Sequence, residues 1–188
     1  MKESFKTFLK HTAKDFHNKS VNPPVVRAST ILFKSIQDIR KTQKLYEKDP
    51  TGGYFEYGRL GTSTTHTLSK ILSKLEQSYH VFLTQTGFGA VFLSIFSIVR
   101  PGDEILIADP VYTPTRILTD EYLKEFKIKS IFYDPKNLKT LEKSISKKTK
   151  LIFVENPGSN TFEFQDLSKI ISIAKKNKIF TAIDNTWA

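Results

Sequence analysis

The runs HVFLT (80–84), EILIAD (104–109), KIKSIFY (127–133), KLIFVE (150–155) and KIFTAID (178–184) decide the fold. Each is of strand length and rich in Ile, Val and Phe, the pattern of strands buried on both faces. Between them the period changes to 3.6, which predicts helices near 89–100, 114–125, 137–147 and 165–177. In the last of these Leu167, Ile170, Ile171 and Ala174 form one stripe. Regular alternation of strand and helix implies right-handed crossovers and a mostly parallel sheet, so the fold class is α/β.

Upstream the chain reads differently. Pro23-Pro24 and the Gly52-Gly53 turn interrupt it, and helical patterning stays weak until Leu68, Ile71, Leu72 and Leu75 line one face. The expectation is an extended N-terminal arm followed by a helix that Thr64 or Thr65 caps and that ends near Glu76. His66 falls in its first turn, with no second His at metal-ligand spacing.

Composition narrows the function classes. With 188 residues, 39% hydrophobic, the chain can bury roughly 70% of its unfolded surface without staples. Having no Cys, it has no disulfide, thiolate metal site or cysteine nucleophile. No run reaches the ~18–20 apolar residues of a membrane helix, and the N-terminus lacks an apolar h-region, so no membrane partner is expected and the cytosol is the expected compartment. The net charge of +10 invites a polyanion partner. Yet Lys139, Lys143 and Lys147 recur every four residues opposite Leu138, Leu141 and Ile145, which reads as the solvated side of a helix, and no nucleic-acid-binding motif appears.

In a parallel sheet the carboxyl ends of all strands open on one edge, where ligands bind. The residues there are Gln85-Thr86-Gly87-Phe88-Gly89-Ala90, Asp109-Pro110-Val111-Tyr112, Glu155-Asn156-Pro157-Gly158-Ser159 and Asp184-Asn185-Thr186-Trp187. Taken together they supply a helix N-terminus suited to phosphate, an aromatic ring, and a carboxylate that needs a partner such as a protonated heteroaromatic nitrogen.

Six ordered segments carry a resemblance: VNPPVVRASTILF (21–33), FEYGRLGTSTTHTL (55–68), the glycine loop, DPVYTPTR (109–116), VENPGS (154–159) and AIDNTWA (182–188). Together the chain resembles the Cys/Met-metabolism family of pyridoxal-phosphate (PLP) enzymes, and the wording from Arg59 to Thr64 is similar to its cystathionine β-lyase branch. The resemblance implies the large domain of fold-type I PLP enzymes. It also implies that the amides of Gly87 and Phe88 bind the cofactor phosphate, that Tyr112 stacks on the pyridine ring, and that Asp184 keeps the ring nitrogen protonated. Tyr57 and Arg59 would reach the phosphate of a neighbouring subunit, so a homo-oligomer follows. The implied reaction is β-elimination of a sulfur amino acid, cystathionine giving homocysteine, pyruvate and ammonia.

Departures from the family pattern accompany the match. Phe88 and Gly89 stand where small residues are usual, and Ser159 aligns with the family's common Asn beside the ring oxygen. The family's Schiff-base lysine belongs to a segment past the aspartate strand, and no lysine of this chain sits in such a motif. The expectation is an arm (1–65) and a truncated PLP-binding domain (66–188) without the C-terminal domain, holding no catalytic residue of its own and inactive alone. Two other readings stand beside it. Gly87-x-Gly89 after a strand, with Asp109 ending the next, suggests a dinucleotide-binding domain, and the charge suggests a polyanion-binding module.

Overall fold

The computed structural model describes residues 21–187, which fall into two compact units, Met1–Leu83 and Thr84–Ala188. In the first, an extended stretch meets the chain again through an antiparallel bridge between Thr30 and Tyr57. Between these lies α1 (Ile36–Lys48), which the reading of an extended arm did not anticipate. None of its residues is fully buried, and the stripe that Ile36, Ile39 and Tyr46 begin is broken by the polar residues Thr42 and Gln43. Its end signals are present instead: the Ser35 hydroxyl accepts the Asp38 N–H at 3.2 Å, Asp38 lies in the first turn and Lys48 in the last.

The second helix, α2 (Ser63–Leu75), starts at Thr62 rather than at Thr64 or Thr65. The Thr62 N–H donates to the Thr65 hydroxyl at 2.9 Å. Thr64 is free to bind the arm, donating to the Pro24 carbonyl and accepting the Val26 N–H at 2.8 Å. His66 packs edge-on against Phe55, with ring centroids 5.7 Å apart. Gly53 has φ +77°, and a Cβ there would lie 2.6 Å from the His66 ring, so this turn requires glycine.

The second unit is the α/β domain. Its elements in order are α3 (Gly87–Phe96), β1 (Glu104–Ala108), α4, β2 (Lys129–Tyr133), α5 (Leu138–Ser144), β3 (Thr149–Glu155), α6 (Leu167–Lys176) and β4 (Phe180–Asp184). α4 begins at Thr113–Ile117, widens into a π-helical turn at Leu118–Tyr122, and closes with Leu123–Glu125. Among the described residues the sheet has four strands, all parallel, in the order β2-β1-β3-β4.

The expected first strand does not form. Residues 80–84 pair with no strand, and Phe82 is 77% exposed. A run of five residues, of which only Val81, Phe82 and Leu83 are apolar, lacks the length to distinguish a strand from a connection, and without ladder partners its amides gain nothing from the extended form.

β1 and β3 are interior strands, and their residues divide by parity between two cores. Ile105, Ile107, Leu151 and Phe153 pack with Val91, Ile95, Leu118 and Leu123 from α3 and α4. On the other face Leu106, Ala108, Ile152 and Val154 meet Leu141 of α5 and Ile170 and Ala174 of α6. Continuous apolar strands are needed because helices cover both faces. The strand order also matters: from β1 the chain crosses to β2 on one side and returns to β3 on the other, which places a topological switch point at the carboxyl ends of β1 and β3.

Leu106→Ala and Leu151→Ala remove fully buried side chains from opposite faces, and each should cost about 2–5 kcal/mol. Urea denaturation should show both midpoints lowered by similar amounts; a tolerated substitution on either face would mean that layer is not part of the core.

Candidate cofactor site

The site grows from the start of α3. The Thr86 hydroxyl caps the helix by accepting the Gly89 N–H at 2.9 Å, and the Thr86 carbonyl accepts the Ala90 N–H. Among the described residues the N–H groups of Gly87 and Phe88 have no partner, so two donors and the positive end of the helix dipole face outward. A Cβ built on Gly87 meets nothing within 4 Å, which leaves open space in front of these amides.

The loops that follow β1 and β3 are joined to each other. Glu155, the last residue of β3, accepts the Tyr112 N–H at 2.6 Å through Oε2. The Ser159 N–H donates to the Pro110 carbonyl at 2.7 Å. Gly158 lies so close to Pro110 that a Cβ would come within 2.8 Å of the proline ring. Beneath them the Gln165 amide donates to the Glu155 carbonyl at 2.9 Å and accepts from the buried Tyr133 hydroxyl at 2.8 Å. Burial pushes the Tyr133 hydroxyl above its ordinary pKa, so it stays a protonated donor.

Asp184 ends β4 in parallel register with Glu155. Its Oδ1 accepts from the Thr186 N–H at 3.1 Å and from the Thr186 hydroxyl at 2.5 Å, while Oδ2 has no partner among the described residues. Glu155 is 6% exposed, and its pKa is raised: burial is the main cause and the Asp184 charge adds to it, against the hydrogen bonds from the Tyr112 amide and Ser159.

These parts enclose one cleft of about 940 Å³. Gly87, Phe88, Tyr112 and Asp184, which the sequence singled out, all line it, together with Glu155 and Trp187. Tyr57 and Arg59 belong to the first unit, on the 3₁₀ turn Gly58–Leu60. The Arg59 guanidinium lies 5.4 Å from the Tyr57 ring centroid, and the Tyr57 hydroxyl accepts from Ser29 at 3.2 Å. Gly58 is bound tightly to the arm, its N–H on the Ser29 carbonyl at 2.7 Å and its Cα so near Ala28 that a Cβ would overlap the carbonyl oxygen.

Over residues 6–188 the chain matches the family described as Cys/Met metabolism PLP-dependent enzyme. It is a member of that family. The chain is 36% identical over 177 residues to the cystathionine beta-lyase of Haemophilus influenzae, covering 93% of this chain and 44% of that enzyme. It is 33% identical over 174 residues to an L-alanine/L-glutamate racemase of Wolbachia pipientis wMel, covering 90% of this chain and 43% of the racemase. A Campylobacter jejuni structure carrying N′-pyridoxyl-lysine-5′-monophosphate superposes with a TM-score of 0.83 at 27% identity, over 96% of this chain and 44% of that one. The chain thus spans less than half the length of these relatives.

The cofactor of the family is pyridoxal phosphate, and the cleft has a matching donor set. Two free amides at a helix N-terminus suit a phosphate, a tyrosine ring suits a pyridine face, and a half-satisfied carboxylate suits a protonated ring nitrogen. The dinucleotide reading loses its first element, because no strand precedes Gly87 at 80–84. Lys139 and Lys143 lie on exposed positions of α5 while Leu141 is buried, the solvated helix side expected from the sequence.

Glu155 is the residue that sequence reasoning missed as part of the site. Its signal was the one that identified Asp184: KLIFVE ends in a carboxylate as KIFTAID does. Gly158→Ala should force the two loops apart and lower stability by about 1–3 kcal/mol. Thermal unfolding would reveal this, and an unchanged midpoint would show that Pro110 yields without cost.

Proposed function

We propose that this chain builds the cofactor-holding face of a pyridoxal-phosphate-dependent carbon–sulfur lyase of the cystathionine β-lyase type. The observation that carries the reading is the convergence of Gly87, Phe88, Tyr112 and Asp184 on one cleft at the carboxyl edge of the sheet. When bound there, pyridoxal phosphate supplies an electron sink for the bonds at the substrate α-carbon.

The chain's own residues would act as follows. The N–H groups of Gly87 and Phe88 donate to the phosphate oxygens, and the Thr86 cap holds that helix turn in place. Tyr112 covers one face of the ring and shields it from water. Asp184 accepts the proton-bearing ring nitrogen on Oδ2 while Thr186 fixes Oδ1, so the carboxylate keeps that proton in place throughout. Tyr57 and Arg59 would serve the phosphate of a neighbouring subunit, the Arg59 guanidinium providing bidentate contact, and the protein would assemble as a homo-oligomer.

The substrate in this reading is cystathionine, cleaved to homocysteine, pyruvate and ammonia. The cleavage step draws on groups outside the assigned residues. The Wolbachia racemase among the relatives shows why the reaction needs its own test, since removal of an α-proton serves racemisation as well as elimination.

Trp187 is the only tryptophan and lines the cleft, so its fluorescence reports on occupancy. Pyridoxal phosphate should quench it saturably, and Asp184→Ala should weaken binding about thirty-fold, the equivalent of about 2 kcal/mol for a charged hydrogen bond. Quenching by NAD but not by pyridoxal phosphate would return the dinucleotide reading, and affinity for DNA falling linearly with log salt would favour the polyanion module. For the reaction, pyruvate released from cystathionine supports the lyase, and racemised alanine without pyruvate overturns it.

A further inference from the structure

The carboxyl end of β3 carries a second buried carboxylate that the cofactor roles leave unused. Glu155 and Asp184 are partners across the β3–β4 ladder, where neighbouring strands lie about 4.8 Å apart. Both line the cleft. The remaining titratable lining among the described residues is Tyr112, and no Lys, Arg or His lines the cleft. The two carboxylates therefore face each other's charge with no cation from the cleft wall to offset it.

We propose that Glu155 is a positioning residue of this site: its carboxylate clamps the Tyr112 backbone, so fixing the stacking ring, and shares with Asp184 the charge of the protonated ring nitrogen. This rests on the reading of the cleft as a pyridoxal-phosphate site. The clamp follows from geometry. Tyr112 is the residue before α4, its N–H points at Glu155 Oε2 at 2.6 Å, and the same residue lines the cleft.

The charge coupling follows from the same placement. Without a cation in the cleft, burial of the side chain and the neighbouring Asp184 charge oppose ionisation of Glu155. A cationic ring nitrogen beside Asp184 cancels much of that opposition, so occupancy favours ionised Glu155. By linkage, ionised Glu155 must then favour occupancy by the same factor. The sign is fixed: binding should strengthen as pH rises through the raised pKa of Glu155 in the empty cleft and weaken as pH falls through it.

Two backbone amides separate the carboxylates. The Tyr112 N–H reports on Glu155 and the Thr186 N–H on Asp184, each through its own hydrogen bond. In a pH titration of the ¹⁵N-labelled 188-residue chain, followed by two-dimensional NMR, the Tyr112 amide should shift with a midpoint above the ordinary glutamate range. Saturating pyridoxal phosphate should move that midpoint down. Glu155→Gln keeps the acceptor and removes the charge; it should bind pyridoxal phosphate about ten-fold less tightly near neutral pH, the scale of one charge-assisted contact. It should also lose the Glu155 limb of the pH dependence, while Glu155→Asp recovers that limb with a weaker clamp.

A Tyr112 amide that does not titrate, or whose midpoint ignores saturating cofactor, overturns the inference and leaves the cofactor site standing. Failure of pyridoxal phosphate to quench Trp187 in the unaltered chain overturns the site and the inference together. Should Glu155→Gln fail to fold, the two amide titrations of the unaltered chain decide the question by themselves.

Discussion

The hydrogen bond from the Tyr112 amide to the Glu155 carboxylate is the tie on which the cleft depends. β1 and β3 run side by side, buried on both faces, and the chain must leave both strands at the same edge in polar loops. Loops carrying unpaired amides cannot stay against a core, so each must find partners in the other. Here Tyr112 finds Glu155, Ser159 finds Pro110, and Gly158 leaves room for the proline ring. Tyr112 is thereby held by the strand next to its own, rather than by its own loop alone.

That arrangement explains why the site lies where the strand order changes direction. At the carboxyl ends of β1 and β3 the two connections diverge, one to α4 on one face and the other to α6 on the opposite face, and they leave a gap in the rim that neither helix fills. The parity of the buried strands sets the rest. Residues of one parity support α3, whose N-terminus faces the gap, and residues of the other support α5 and α6 on the opposite face. A one-residue slip of β3 would exchange the two sets and carry Glu155 out of reach of Tyr112.

Much of this was legible in the residues, and the failures have identifiable causes. β1 and β3 could be read because strands covered on both faces need unbroken Ile, Val, Leu and Phe, a pattern few other elements share; β2 and β4, at the edges of the described sheet and partly exposed, were legible from their β-branched and aromatic residues. The run at 80–84 has the same wording and no ladder, since composition records what a segment could pair with and not whether a partner is present. α1 escaped notice because pattern reading detects burial, and α1 buries nothing; its capping residues carried the information instead. The converging residues Gly87, Tyr112 and Asp184 were legible as chemistry, each a polar or special residue directly after an apolar run. Glu155 was equally visible by that rule, but its backbone partner in Tyr112 depends on a register and a loop path that one-dimensional spacing does not encode. The π-helical turn in α4 is of the same kind: nothing in Leu118–Tyr122 requires it, and it is fixed by packing, with Leu118 and Thr119 both buried.

Charge in the cleft leads to a conclusion about assembly. Its ionisable walls are acidic and its donors to an anion are amides, which carry partial charge only. A phosphate monoester near its full double charge is stabilised by such donors, which offset that charge only in part. Lys139 and Lys143 of α5 do not supply the difference, because they lie on an exposed helix side and do not line the cleft. A cation from outside the lining would supply it. A guanidinium held on a short, glycine-anchored turn is suited to that task, since it arrives pre-oriented and bidentate. Arg59 answers this description in its own unit, packed over Tyr57 on a turn pinned to the arm, and the cleft's electrostatics support its proposed place on a neighbouring copy.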